Sequence, residues 1–354
     1  MESHLYERLK DRIIDKDSSI LSALKQMDAS GTKLLFVFGG QKFLSIISIG
    51  DIQRALIKNI PLETPVHNIM RQQVLMADES EPVESIKETM IAKRIECMPV
   101  VNKQGKLVDI YFWEDLFGKE ERRVKTDLGL QVVIMAGGKG TRLKPLTNIL
   151  PKPLMPIGNK TILERIMDRF ISVGCSDFFL SVNYKSDLIR YYFKSLGNHG
   201  YHLTFLEEDK PLGTAGSLYM LKGKIKKTFI VTNCDILIEQ DFSDIYHYHV
   251  SERNELTIIA ALKHYSIPYG TIESGAGGTL MSLTEKPELT FKINSGMYVL
   301  EPGILHEIPD NQHYHITELI KKVKKRGGKI GVFPVSEKSW KDIGDWHEYM
   351  KHVK

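Results

Sequence analysis

The sequence predicts an α/β protein in two parts: a smaller α+β half built from an internal repeat, and a larger half in which strands and helices alternate around a mostly parallel sheet. Three observations carry this. Asp17 matches Asp78 at an offset of 61 and Asp51 matches Asp115 at an offset of 64, within two copies of one pattern. From Leu130 onward the pattern changes to strand, turn and helix in alternation. A glycine-rich turn, Gly137 to Gly140, follows a short apolar strand directly.

A length of 354 residues favours two domains over one, each long enough to bury its own core. The expected division is 1–120 for the repeat pair (copies at about 8–66 and 70–120), 121–129 for a connector and 130–354 for the larger unit. A net charge of +4, with basic and acidic residues interspersed, leaves no electrostatic footprint for nucleic acid. The basic stretch Lys321 to Lys329 reads as a solvated helix face and turn. Cys97, Cys175 and Cys234 are far apart in apolar surroundings, so buried reduced thiols are expected. Purely apolar runs reach only about five residues against the ~20 of a membrane helix, and the N-terminus is charged. The expectation is a cytoplasmic protein without a membrane partner.

Each copy of the repeat reads strand, helix, strand, turn, strand, helix. Ile20, Leu24 and Met27 supply the helical spacing in the first, and Val83, Ile86 and Met90 in the second, with Pro82 early in the helix. The strand pairs meet at Gly39-Gly40 and at Asn102 to Gly105, both hairpin signals. Residues 8–118 so patterned resemble a tandem pair of CBS domains. That resemblance implies an adenine nucleotide between the copies, with Asp51 in SIGD and Asp115 in FWED as the ribose-holding acids. Phe112, where Ser or Thr is usual, and Asp109, where Gly is usual, depart from the pattern at the second site. A structural or dimerising pair therefore stands beside a sensing one. Such pairs stack face to face, which implies a homo-oligomer by analogy.

In the larger half the strand QVVIMA runs into Gly137-Gly138-Lys139-Gly140-Thr141-Arg142-Leu143. Glycines after a strand let backbone N–H groups reach a phosphate, and an arginine adds bidentate charge-assisted bonds. Leu143 stands where a dinucleotide fingerprint wants glycine, and the Gly-Lys-Ser/Thr of a P-loop is missing. Two prolines then stiffen the backbone around Lys152. Thr161 and Glu164 form a capping box for a helix whose core face is Ile162, Ile166, Met167 and Phe170. The strand TFIVTNCD ends at Asp235, where a carboxylate at the C-terminal end of a buried strand faces a ligand crevice. Cys234 beside it reads as packing.

Gly-Gly-x-Gly-Thr-Arg-Leu followed by Pro-Lys-Pro, over Gly137 to Lys152, closely resembles the signature of sugar-1-phosphate nucleotidyltransferases. The resemblance implies a Rossmann-like mixed sheet of GT-A type, with Ala136, Gly137, Gly138, Gly140 and Thr141 along the nucleotide. PLGTAGS adds Pro211, Gly213 approaching the base, and Thr214 heading a helix. Asp235 and Asp342 of WKDIGD would hold magnesium, a hard cation suited to paired carboxylates and phosphates, while Asp345 caps the following helix. Gly270, Glu285, Asn294 and Gly296 would form the sugar side, with Arg142, Lys152 and Lys286 as the catalytic cations.

The implied partners are a nucleoside triphosphate and a sugar 1-phosphate, joined with loss of pyrophosphate. PLGTAG and NSGMYVL look closest to guanylyltransferases of the mannose 1-phosphate type. A CBS pair ahead of such a domain is similar to the glucosamine-1-phosphate guanylyltransferases of legionaminic acid formation, which implies GTP and an amino sugar. Thymidylyl or uridylyl transfer to glucose 1-phosphate is the alternative, and a non-catalytic nucleotide-sensing protein is the alternative of another class.

Overall fold

The computed structural model describes residues 3–93, 95–117, 127–197 and 200–352. The chain divides into two compact units, Met1–Val124 and Lys125–Lys354. The expected connector falls largely on residues 118–126, which lie outside the described residues.

In the first unit each copy forms a three-stranded sheet. Ile13–Asp15 runs parallel to Leu34–Gly39, which pairs antiparallel with Lys42–Ser48; Ala77–Asp78, Cys97–Val101 and Leu107–Phe112 repeat that order. Helices Ile20–Ser30 and Ile49–Ile57 belong to the first copy, Val83–Lys93 and Trp113–Phe117 to the second. Ser19 starts Ile20–Ser30 by accepting from Ser22 N–H at 3.1 Å, and Gly31 ends it at a φ of 67°, open to glycine without steric cost. Pro82 lies just ahead of Val83 rather than inside the helix. A helix at Ser3–Leu9 drives Leu5 and Leu9 into a core shared by Phe36, Phe38 and Phe43 of one copy and Cys97, Leu107 and Ile110 of the other. The apolar surface joining the copies is thus buried by the N-terminal helix as well.

The second unit is built on a seven-stranded sheet in the order His202–Glu207, Asp177–Val182, Gln131–Met135, Phe229–Asn233, Glu288–Leu300, Leu256–Ser266, Ile330–Val335. Four of the six pairings are parallel and two antiparallel, both made by Glu288–Leu300. That strand is reversed because it returns directly from Leu256–Ser266 through a ribbon rather than a crossover helix. Val132, Val133 and Ile134 are all fully buried, so both faces of the central strand are covered. One face packs Val133, Phe229, Val231 and Leu300 against Leu218, Leu305, Leu319 and Val323. Thr161 and Glu164 make the expected capping box, and Tyr192 donates to Glu164 at 2.7 Å. The chain leaves Gln131–Met135 toward Asp177–Val182 on one side and later returns as Phe229–Asn233 on the other. A crevice opens at such a switch of direction, beyond the strands' carboxyl ends.

The small ribbon Thr271–Ser274 with Leu280–Thr284 extends from the long strands and exposes Ile272, Leu280, Met281 and Leu283.

Candidate active site

Ala136 continues the central strand by donating to Ser181 O at 2.8 Å, after which the glycine loop turns away. Gly140 adopts a φ of 62°, and a Cβ there would meet Thr147 Cγ2 at 2.9 Å and Lys152 Cβ at 3.0 Å. Glycine is therefore required for the loop to fold back on Lys152. Lys152, between Pro151 and Pro153, is only 9% exposed and pairs through Nζ with Asp235 Oδ2.

Asp235 follows the Phe229–Asn233 strand by two residues and is 7% exposed. Asp342 reaches the same place because Trp340–Asp342 pairs antiparallel with Ile236–Ile238, setting Asp342 opposite Ile236. Arg142 spans both carboxylates, 3.7 Å from Asp235 Oδ2 and 3.5 Å from Asp342 Oδ2. Asp345 caps the last helix as expected, accepting from His347 N–H at 2.9 Å. Two oxygen-donor side chains without a third His, Cys, Asp or Glu form no all-protein cage; no group of three occurs among the described residues. This donor set fits a divalent cation that takes its remaining ligands from water and phosphate. Arg142 and Lys152 balance the same charge in the protein alone.

Two adjoining clefts share Thr214, Asn233 and Asp235. One, about 320 Å³, is lined by Gly137, Gly138, Gly140, Lys152, Pro211 and Gly213; the other, about 330 Å³, by Arg142, Asn294, Gly296, His315, Trp340 and Asp342. Asn294 Oδ1 accepts from Gly296 N–H at 3.1 Å and Tyr298 Oη at 2.9 Å, leaving its amide nitrogen as the donor. Gly296 has a φ of 87°, and a Cβ there would lie 2.6 Å from Asn233 Nδ2.

Several expected residues take other places. Thr214 heads no helix of its own, because Ala215 caps the 3-10 turn Gly216–Leu221. Its hydroxyl instead accepts from Ile316 N–H at 3.0 Å, at the start of the helix Ile316–Lys325. Gly213 has a φ of 81°, and a Cβ would strike Tyr314 O at 2.7 Å, so its glycine serves packing against His313 and Tyr314 while still lining the first cleft. Ala136 is fully buried beneath the loop and Thr141 is exposed beside it; neither lines a cleft. Gly270, Glu285 and Lys286 also lie outside both clefts, with Glu285 and Lys286 exposed. The long strands carry them out toward the ribbon, away from the sheet's buried half.

Glu208 and Gly344 escaped the sequence reading. Glu208 is buried in the first cleft, accepting from Ser181 Oγ and, at 3.1 Å, from Leu212 N–H. A Gly137 Cβ would approach its carboxylate oxygens to 3.1 and 3.2 Å. In EEDKPLG it reads as one of three acids in a solvated loop; the only signal was its position at the end of a strand. Gly344 leaves room for the acid pair: a Cβ would lie 2.9 Å from Asp342 Oδ1 and closer to Asp235 Oδ2 and Lys152 Nζ.

Residues 131–354 match the Nucleotidyl transferase family model. The chain belongs to this family. Residues 66–119, the second repeat, match the CBS domain model. The nucleotidyl transferase unit is similar to the mannose-1-phosphate guanylyltransferase catalytic subunit beta of Drosophila pseudoobscura pseudoobscura, 32% identical over 186 residues, covering 51% of this chain and 50% of the relative. It is also similar to a mannose-1-phosphate guanyltransferase of Pichia angusta, 34% identical over 184 residues, covering 49% and 50%. The chain thus spans about half the length of these curated relatives. Among solved structures, HddC from Yersinia pseudotuberculosis superposes with a TM-score of 0.51 at 29% identity, covering 63% of this chain and 98% of HddC. HddC complexed with GMP-PN gives 0.51 at 28%, again covering 63% and 98%.

In the repeat unit, Asp51 is buried and its carboxylate is committed. It accepts from Ser48 N–H at 2.8 Å and Ser48 Oγ at 2.6 Å, and pairs with Arg54 and with Arg71 Nε at 3.2 Å. Burial alone would raise its pKa, but the Ser48 hydrogen bonds and the Arg71 charge outweigh that and hold it below the usual value. Asp115 accepts from Phe112 N–H at 3.2 Å and pairs with Arg8. All three cysteines are free and buried, and burial pushes Cys97 and Cys234 up to about 12 and Cys175 to about 11. None is poised as a thiolate. No helix among the described residues is long and apolar enough to cross a membrane.

Proposed function

We propose that the chain transfers a nucleoside monophosphate, GMP by preference, from its triphosphate to a sugar 1-phosphate, releasing pyrophosphate. The observation that carries this is the convergence of Asp235 and Asp342 on Arg142 and Lys152 beside a glycine-lined cleft. A phosphate oxygen of the sugar phosphate attacks the α-phosphorus in line; the new P–O bond forms as the α–β bridging bond breaks, and that electron pair leaves with pyrophosphate. Such transfers need positioning and charge stabilisation rather than a covalent nucleophile.

Arg142, half-exposed between the two carboxylates, is assigned to the leaving pyrophosphate, where a planar fork grips phosphate oxygens. Lys152, held by its prolines and by Asp235, is assigned to the reacting phosphates. Magnesium on Asp235 and Asp342 would neutralise phosphate charge as the triphosphate binds. Asn294 offers its amide N–H to the sugar from the second cleft. Lys286, Glu285 and Gly270 retain a role only on the sugar side, outside the two clefts.

The base preference rests on Glu208. An ionised carboxylate only accepts hydrogen bonds, and guanine presents adjacent N1–H and N2–H₂ donors on one edge. Glu208 keeps lone pairs for them beyond those given to Ser181 and Leu212. The GMP-PN complex of HddC and the guanylyltransferase relatives support the same choice. For the sugar, mannose and glucosamine 1-phosphates are the favoured acceptors.

The test is pyrophosphate release by the full chain with each of four triphosphates against glucosamine, mannose and glucose 1-phosphates. GTP with one of the first two is expected to be fastest. No release with any pair would overturn the proposal.

A further inference from the structure

We infer that Lys185 is a positioning residue for the proposed transfer, setting Lys152 against the reacting phosphates from outside both clefts; this rests on the role given to Lys152 in that reaction.

Lys185 stands where local rules favour other residues. It is the N-cap of the helix Ser186–Leu196, makes no capping bond with its side chain, and has a φ of 53° and a ψ of 37°. Asn, Asp, Ser and Thr are the residues that cap a helix N-terminus, and a cation there opposes the helix dipole. The left-handed backbone is unfavourable for any side chain as large as lysine. Three local costs at one residue point to a compensating contact elsewhere in the fold.

That contact is with the loop just ahead of Lys152. Lys185 Nζ donates to Asn148 O at 2.5 Å and to Ile149 O at 2.7 Å, and Tyr184 Oη donates to Thr147 O at 3.2 Å. Three consecutive carbonyls at the end of the 3-10 turn Leu146–Asn148 thereby find donors. Apolar packing does little to hold this stretch, since Ile149 is 73% exposed and Leu146 and Leu150 are exposed as well. Thr147 is its one buried residue, and its hydroxyl donates to Gly140 O at 2.9 Å. The chain then enters Pro151-Lys152-Pro153, where the rings fix φ. A displacement at Ile149 is therefore carried into Lys152, three residues on.

The same turn ties down the rest of the first cleft. Asn183 Nδ2 donates to Glu208 O at 2.6 Å, and Tyr184 N–H donates to Gly137 O at 3.4 Å. Residues 183–185 line neither cleft. They hold the loops that form the site and act on its contents only through them, Lys185 through the loop that ends at Lys152.

Steady-state pyrophosphate release by the full chain, with the melting temperature of each variant, tests this. Lys185→Met keeps the stem and removes the donors; kcat is expected to fall by between about tenfold and 10²-fold, with the KM for GTP within about threefold of the original. Lys185→Arg, which keeps donors for both carbonyls, is expected to retain most of kcat. Lys185→Gly relieves the left-handed backbone and is expected to melt above Lys185→Met, yet to turn over as slowly. With Lys152 already replaced by Ala, Lys185→Met is expected to cost little more, because its effect runs through Lys152. An unchanged kcat in Lys185→Met, activity that follows melting temperature across the variants, or a full further loss on top of Lys152→Ala would overturn the inference and leave the transfer reaction standing. No release by the unmodified chain would overturn both.

Discussion

A methyl group at Gly344 would crowd three side chains of the candidate site at once, Asp342, Asp235 and Lys152. Gly344→Ala should therefore cut pyrophosphate release by about 10²-fold with little change in melting temperature, since a displacement of ~1 Å is enough for that loss. Lys152→Ala is expected to lower turnover by roughly two to four orders of magnitude, and Lys286→Ala far less, because Lys286 is exposed outside both clefts. Equal losses in the two lysine variants would contradict that ranking. Glu208→Gln puts an N–H donor where guanine also donates; the kcat/KM ratio for GTP over other triphosphates should fall. Gly140, Lys152, Asp235 and Asp342 were legible because short motifs and strand ends announce them. Glu208 and Gly344 were not, since their significance depends on neighbours far along the chain: Ser181 for one, Asp235 and Lys152 for the other.

At the scale of elements, the same divide appears between local and distant partners. The capping box of Ile162–Ile171 lies within four consecutive residues and could be read directly. Removing the hydroxyl in Thr161→Ala is expected to cost about 1 kcal/mol, measured by urea unfolding, with activity at saturating substrate retained. Thr214 looked like a cap for the residues after it, yet its partner Ile316 is 102 residues away. The reversal of Glu288–Leu300 was equally hidden: alternation of apolar and polar residues shows a strand but carries no sign of its direction. Gly270, Glu285 and Lys286 flank the ribbon between the long strands, a placement their short motifs did not show.

Across the whole molecule, the internal repeat made the hairpin of each copy legible, while the parallel pairing of each copy's first strand came only from the fold. The arginines that close on Asp51 and Asp115 had no counterpart in either copy's pattern and emerged only from the fold. Asp51 gives this unit a definite acid response. Its pKa is held below the usual 3.8, so its ionised form stabilises folding fully above that value and the gain fades as pH falls through the lower folded value. Arg71→Ala should raise the folded value and move the acid-unfolding midpoint of the first unit to higher pH, read by circular dichroism. In the second unit, chain segments from residues 140, 235 and 342 meet in one charged crevice. Electron paramagnetic resonance of Mn²⁺ titrated into the chain with a non-hydrolysable GTP analogue measures that meeting most directly. One bound ion is expected in the unmodified protein, weakened in Asp235→Asn and in Asp342→Asn alike; two variants that bind the ion as the original does would contradict a shared cation between these carboxylates.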